Sequence, residues 1–131
     1  MEISERFDRT PANFRALRDM VGFKQETFAD FAGVDRSVVR RWEAGKEQIT
    51  EAAWRILENL CRDHFEAVED CMPHGEDADP EKTVVQLMYY RSADDYKSDM
   101  MDWMAADTAA RAAAERLLEL GYKVEFVYPK K

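Results

Sequence analysis

The sequence has little of what marks secreted or membrane proteins. It contains two cysteines among 131 residues, and no apolar run is long enough to span a bilayer. The N-terminal stretch MEISERFDRT lacks the order of basic and then apolar residues found in signal peptides. We therefore expect a cytoplasmic chain with no membrane partner, in which Cys61 and Cys71 are reduced thiols.

The sequence motifs of common enzymes are also missing. There is no P-loop and no glycine-rich dinucleotide turn. Acidic residues are abundant, but none stands in a motif with a paired base or nucleophile. We expect neither enzymatic activity nor a bound cofactor.

The few cysteines and histidines lie close together in the sequence, which raises the question of a zinc site. Cys61, His64, Cys71 and His74 follow the spacing C-x2-H-x6-C-x2-H. If one helix runs unbroken to about residue 71, Cys61 and Cys71 are roughly 15 Å apart along its axis. Zinc ligands must each lie about 2 Å from the metal. We therefore predict no metal site, and zinc at these four residues remains the alternative.

The charge of the chain is negative overall but unevenly distributed. The formal net charge is -8. Residues 1–66 contain 11 basic and 13 acidic residues, whereas residues 67–131 contain 8 and 14. Within the less acidic half, the stretch GVDRSVVRRWEAGKE (33–47) places three arginines in six positions. An acidic chain is not expected to coat nucleic acid, but a local basic face of this kind can bind it.

Capping residues and apolar spacing predict four helices in the first part of the chain. Thr10 and Pro11 form a helix start, Gly33 ends the second helix, and Asp35 caps the third. Thr50 opens the fourth helix. The predicted ranges are about 11–21, 25–32, 36–44 and 50–71.

The composition changes after Cys71. The stretch 72–82 contains two prolines, a glycine and several acids, which indicates an acidic linker. TVVQLMYY (83–90) predicts a buried strand, and KVEFVY (123–128) predicts a second strand. Between them an apolar stripe predicts a helix from about Asp94 to Leu120. Its members are Tyr96, Met100, Trp103, Met104, Ala110, Ala114, Leu117 and Leu118.

Residues 25–44 have the features that a helix-turn-helix requires. Ala29 supplies a small residue where the second helix crosses the third, and Gly33 tolerates a positive φ in the turn. Val39 and Trp42 are spaced to dock the third helix against the core. The outward side of this helix then carries Arg36, Ser37, Arg40 and Arg41. An exposed helix with three guanidinium groups fits the DNA major groove in width and in charge.

The segment RALRDMVGFKQETFADFAGVDRSVVRRWEAGK resembles the Xre-type helix-turn-helix family, which includes the lambda and 434 repressors and Cro. Many positions agree with the family pattern in register, and Lys24 departs from it because the family prefers a small hydroxyl residue at the start of the second helix. The matching residues are Leu17, Arg18, Gly22, Gln25, Ala29, Gly33, Val34, Val39, Trp42, Glu43 and Gly45.

This resemblance implies roles for individual residues. Double-stranded DNA is the expected partner, and the bases are expected to meet Arg36, Ser37, Arg40 and Arg41. Arg40 lies one turn beyond Arg36, so a phosphate is the alternative contact for it. Gln25 and Lys46 are expected to contact phosphates. Arg18 and Glu43 match a paired position, which we interpret as a structural ion pair between the first and third helices.

The predicted elements and the resemblance together give the expected fold class and assembly. We expect a mainly α protein with a lambda-repressor-like domain (1–71), the acidic linker (72–82) and a strand–helix–strand α+β module (83–131). One short helix reads only a few base pairs, so a homodimer on a two-fold site is expected. A sheet of two strands cannot hide both faces, which makes the last module the candidate dimer interface. The interface residues predicted are Tyr89, Tyr90, Trp103, Phe126 and Tyr128.

These observations favour a sequence-specific transcriptional regulator, in its simplest form a repressor of a pseudo-palindromic operator. An alternative is an antitoxin-type autoregulator whose last module binds a partner protein. A different class is a helix-turn-helix interaction module without DNA binding. Charge runs on helices are often solvated faces, and Asp35 and Glu43 lie close enough in sequence to neutralise part of this one.

Overall fold

The computed structural model describes residues 5–97 and 102–130. Its described residues are mainly helical, and the chain divides into two compact units, residues 1–63 and 64–131. The division falls within the fourth helix. None of the helices in the described ranges combines the length and the apolar character needed to cross a membrane.

The first unit is built from short helices with defined caps. The hydroxyl of Thr10 accepts a hydrogen bond from the Asn13 backbone N–H at 3.1 Å, and Thr50 does the same for Ala53 at 3.1 Å. The helices are α1 (Pro11–Met20), α2 (Gln25–Ala32), α3 (Arg36–Glu43) and α4 (Glu51–Asp70), whose last residues belong to the second unit. All four agree with the predicted ranges to within a residue or so.

An aromatic cluster forms the core of the first unit. The Phe14 side chain is fully buried, and its ring meets those of Phe28 and Trp54 edge to face at centroid distances of 5.2 Å each. The Trp42 ring lies 6.0 Å away in the same manner. Since these four residues come from four different helices, the cluster ties α3 to the rest of the unit.

The second unit is a strand–helix–strand arrangement, as predicted. The strands β1 (Val84–Met88) and β2 (Lys123–Val127) pair in parallel, with Val84 opposite Lys123 and Met88 opposite Val127. The intervening helix α5 (Trp103–Glu119) covers one face of this two-stranded sheet. The buried core of the unit consists of Met72, Leu87, Ala110, Ala113, Ala114, Leu117 and Tyr122.

Two predictions for this unit are wrong in detail. The long helix begins at Trp103 rather than near Asp94, because the Asp102 side chain caps it by accepting from the Met104 N–H at 3.0 Å. Tyr96 follows a 3-10 turn and lies outside the helix, while Met100 lies outside the described residues. Leu118 is exposed although it was placed on the apolar stripe.

The first strand was expected to be buried, and on one face it is not. Val84 and Met88 are 53% and 45% exposed, whereas Leu87 on the opposite face is 3% exposed. The difference arises because α5 covers only one face of the sheet. The acidic stretch at 72–82 also begins inside the unit, since Met72 belongs to the core and Gly75–Asp77 form a 3-10 turn. Its role as a linker stays a prediction.

Candidate nucleic-acid interface

The turn between α2 and α3 sets the angle between the two helices. Gly33 has φ of +70°, and an added Cβ there would meet nothing within 4 Å. The next residue, Val34, donates its N–H to the Ala29 carbonyl at 3.0 Å, which closes the end of α2. Ala29 is 1% exposed, so its methyl group is packed inside the protein. The turn therefore depends on glycine for its backbone angle and not for lack of space.

One face of α3 is held in the core and the other is open to solvent. Val39 is fully buried and Trp42 is 2% exposed. Arg36 and Arg40 are exposed, and neither is in an ion pair with any of the described residues. The burial of the two apolar residues therefore determines that these guanidinium groups point away from the protein.

A buried network connects α1, α2 and α3 through Glu43. Arg18 donates from Nε and Nη2 to the two carboxylate oxygens of Glu43, at 2.6 and 2.8 Å, and from Nη1 to the Phe23 carbonyl at 2.7 Å. The two ionised side chains are 6% and 4% exposed. Burial lowers the pKa of Arg18, but the hydrogen bonds and charges of Glu43 and Asp19 outweigh this and raise it overall.

Gln25 takes part in the same network. Its Nε2 donates to Glu43 Oε1 at 3.1 Å. The sequence predicted a phosphate contact for Gln25, and the structure shows its amide directed towards Glu43. The amide nitrogen carries two hydrogens, so one N–H remains to donate to a phosphate. The contact with DNA therefore stays a prediction.

The start of α3 is fixed by Asp35 and Ser37. Asp35 accepts from the Ser37 backbone N–H at 3.1 Å and also from the Ser37 hydroxyl. These hydrogen bonds lower the pKa of Asp35, and the positive charges of Arg41 and Arg40 lower it further. The Ser37 hydroxyl is thus engaged within the protein, and only its oxygen lone pairs remain to accept from a base.

Arg41, for which a base contact is predicted, forms an ion pair within the protein. Its Nε lies 3.7 Å from the carboxylate of Glu47, and both side chains are about half exposed. An exposed pair of this kind contributes little to stability, so Glu47 holds Arg41 only weakly. The contact of Arg41 with DNA stays a prediction. The chain between α3 and α4 brings this acid close because Gly45, with φ of +74°, reverses direction after α3.

Lys46 lies in the same connection and lines a surface cleft of about 630 Å³. Its N–H donates to the Arg41 carbonyl at 2.9 Å, while its side chain is exposed. Arg9 lines the cleft as well, beside the Trp54 ring and bonded to Glu51. Two basic side chains therefore border a cleft next to the end of α3.

Residues 14–62 match a family model described as helix-turn-helix. This segment is a helix-turn-helix domain of the Xre and lambda-repressor type. A comparison with curated proteins found no match. The family is one of DNA-binding regulators, so the domain indicates DNA binding.

Two features of the helix-turn-helix domain escaped the sequence reasoning. The Arg41–Glu47 pair is not evident from the sequence because Asp35 and Glu43 are the acids next to the arginines, whereas Glu47 lies beyond the glycine. Arg9 was missed because it precedes α1 by two residues and is brought to the cleft only by folding. Gly45 is the signal in the sequence for the Arg41–Glu47 pair, since a turn after α3 returns the chain to the last residues of this helix.

Outside the helix-turn-helix domain, the predicted interface residues differ in exposure. Phe126 and Tyr128 are 47% and 58% exposed, and the Arg91 guanidinium lies 4.8 Å from the Tyr128 ring centroid. Tyr89, Tyr90 and Trp103 are half-buried. Tyr89 contacts the core of the second unit and its ring meets that of Phe126 at 5.3 Å. Their role in a dimer stays a prediction.

The described residues contain no group of three or more His, Cys, Asp or Glu side chains that could hold a metal ion. Cys61 is fully buried, and burial together with the charge of Glu58 raises its pKa to about 11. Cys71 is half-buried, and burial raises its pKa as well. Because thiolates are the form that binds zinc, both shifts oppose binding.

Proposed function

We propose that this protein is a sequence-specific transcriptional regulator that binds a pseudo-palindromic operator as a homodimer. The single observation that carries the proposal is the face of α3. Its apolar residues are docked by the core, and Arg36 and Arg40 are exposed without ion-pair partners among the described residues. A guanidinium group can donate two hydrogen bonds to a guanine edge, so we infer at least one G·C pair in each half-site.

The other predicted contacts have supporting roles in this proposal. Arg41 reaches a base or a phosphate after releasing Glu47, and Ser37 accepts from a base. Lys46 and Gln25 contact phosphates, which set the position of the domain but carry no sequence information. The simplest mechanism is that the bound dimer occludes the promoter. The protein is then a repressor and has no enzymatic role.

The first test is a selection of bound duplexes from random DNA with the full chain, because the half-site spacing also reports a dimer. Affinity for the selected site is then measured by fluorescence anisotropy for Arg36→Ala and Arg40→Ala. We expect each substitution to weaken binding by about tenfold or more, since a bidentate arginine–guanine contact contributes about 1–3 kcal/mol.

Arg15→Ala is the matched control, because Arg15 is a 69% exposed arginine on α1 and its loss removes the same charge. Lys46→Ala should weaken the selected site and unrelated DNA to a similar degree. If Arg36→Ala and Arg40→Ala bind the selected site as tightly as Arg15→Ala does, α3 does not read DNA and the proposal is wrong.

A further inference from the structure

The second unit has one strand whose outer edge is open. The Tyr89 N–H donates to the Val127 carbonyl at 2.8 Å, so the backbone groups of Val127 face β1. Since successive residues of a strand alternate in direction, the N–H and C=O groups of Val124 and Phe126 point to the other side of β2. No hydrogen bond to these four groups is found among the residues that the structure describes.

The outer edge of β1 is protected at its carboxyl end. The Tyr90 N–H donates to Asp107 Oδ1 on α5 at 2.8 Å, and Asp107 is 4% exposed. The buried Asp107 carboxylate therefore accepts the hydrogen bond of the first backbone N–H on this edge after β1. Natural sheets protect their edges by such devices, and β2 has no equivalent among the described contacts.

We propose that β2 pairs antiparallel with β2 of a second copy of this chain, with Val124 of one copy opposite Val124 of the other. Lys123 of each copy then lies opposite Glu125 of the second copy. This proposal rests on the homodimer of the proposed function and names its interface. It produces one continuous four-stranded sheet across the dimer.

The directions of the backbone groups agree with this register. Val124 directs its N–H and C=O to the open edge, as a hydrogen-bonded pair at the centre requires. The Phe126 N–H reaches the Tyr122 carbonyl of the second copy. The Tyr122 N–H is already donated to the Leu117 carbonyl at 3.0 Å, so two bonds at Val124 and one at each Phe126 N–H form across the interface.

Charge distinguishes this register from the neighbouring ones. Lys123 and Glu125 fall at non-hydrogen-bonded positions, where side chains of antiparallel strands approach most closely. A centre at Glu125 places two glutamates opposite each other, and a centre at Lys123 places two lysines there. Like charges in these positions are destabilising. A centre at Phe126 places Glu125 opposite Val127 and forms no charge pair.

The side chains around the strand fit the same arrangement. Glu125 accepts from Gln86 Nε2 at 3.4 Å, which holds its carboxylate over the exposed face of the sheet. Phe126 shares a face with α5 and is nevertheless 47% exposed. In the proposed pairing it lies opposite Tyr122 of the second copy, where aromatic cross-strand pairs are favourable.

Charge reversal tests the register directly. Sedimentation equilibrium at low ionic strength compares the full-length wild type with Lys123→Glu, Glu125→Lys and the double variant. Each single substitution replaces two attractive pairs by two repulsive ones, so we expect self-association to weaken by about tenfold or more. The double variant restores both pairs with reversed signs and should dimerise like the wild type. Circular dichroism verifies that every variant is folded.

The most decisive experiment mixes the two single variants. A Lys123→Glu chain paired with a Glu125→Lys chain again has two opposite-charge pairs. With one of the two variants uniformly labelled with nitrogen-15, so that the masses of homodimers and heterodimers separate, native mass spectrometry should find predominantly heterodimers. A contact within one chain cannot produce this result. Glu66→Lys, an equal change of charge at an exposed residue of α4, is the control and should leave self-association close to that of the wild type.

Three results would overturn the interface: a monomeric wild type, single variants that dimerise like the wild type, or a mixture that forms no excess of heterodimer. The experiment is independent of DNA. A monomer whose binding to the selected duplex still depends on Arg36 would refute the interface and leave DNA recognition standing. A dimer of the proposed register whose DNA binding is insensitive to Arg36 would do the opposite.

Discussion

Glu43 shows how much of the first unit depends on one residue. It accepts hydrogen bonds from Arg18 and Gln25, and Arg18 in turn holds the Phe23 carbonyl. The resemblance to a family implied the pairing of Arg18 and Glu43. The part played by Gln25 could not be predicted, since its side chain can face either DNA or Glu43 and only the folded packing decides.

The Glu43→Ala substitution should reduce the free energy of unfolding by about 3 kcal/mol, because it removes the buried carboxylate that pairs with Arg18 and leaves only the exposed Asp19 beside this buried charge. Urea unfolding near neutral pH measures the change. Glu47→Ala serves as the control, because it breaks an ion pair with Arg41 that is about half exposed and should cost less than about 1 kcal/mol. Equal losses for the two variants would show that Glu43 is not a structural centre.

At the scale of elements, the turn between α2 and α3 contains a glycine whose substitution would cost backbone strain but no steric clash. An added methyl group at Gly33 would meet nothing within 4 Å, but φ of +70° is unfavourable for any residue with a Cβ. The cost of a substitution there comes from the backbone alone.

Gly33→Ala should therefore lower the free energy of unfolding by about 1 kcal/mol. Gly33→Asn should lower it less, because asparagine tolerates left-handed backbone angles better than alanine. Denaturant titration of both variants gives the comparison. A larger loss for asparagine than for alanine would mean that space, and not the backbone angle, limits this position.

The predictability of the elements followed the strength of their local signals. The four helices of the first unit have capping residues such as Thr10 and Asp35 next to an apolar pattern, and their ranges were predicted closely. The start of α5 was missed because apolar residues continue upstream of Asp102, and the cap outweighs the pattern there. The exposure of Val84 was missed because apolar composition alone does not reveal that one face of a sheet lacks a covering layer.

At the scale of the whole molecule, each unit has its own hydrophobic core, one around Phe14 and one around Leu117. The formal net charge of -8 coexists with exposed arginines on α3. Long-range repulsion from an acidic chain disfavours nonspecific binding to DNA, while short-range contacts at α3 remain available. We expect the affinity for the operator to fall with rising salt.

Acid should destabilise the protein through His64. This side chain is 5% exposed, its Nδ1 has no hydrogen-bond partner among the described residues, and burial lowers its pKa. In the unfolded chain His64 takes up a proton near pH 6.5, whereas in the folded chain it does so only at lower pH. The free energy of unfolding should therefore decrease as the pH is lowered from about 6.5. Urea midpoints at about pH 7.5 and about pH 5.5 measure the effect.

His64→Leu should flatten this dependence, because the variant has no proton to gain at that position. The other histidine provides the control, since His74 is exposed and His74→Leu should keep the dependence of the wild type. If wild type and His64→Leu lose the same stability between the two pH values, His64 is not the group responsible.

The two faces of α3 also bear on how such a protein acquires new targets. Val39 and Trp42 hold the helix in place, while Arg36 and Arg40 extend into solvent. Under the proposed function, exchanging the exposed pair would change which bases are read and leave the packing of Val39 and Trp42 in place. On the same proposal, a duplicated copy of this chain would diverge to a different operator by substitutions at exposed positions, which cost little in folding. The same two positions are the natural starting point for engineering a regulator with a chosen target.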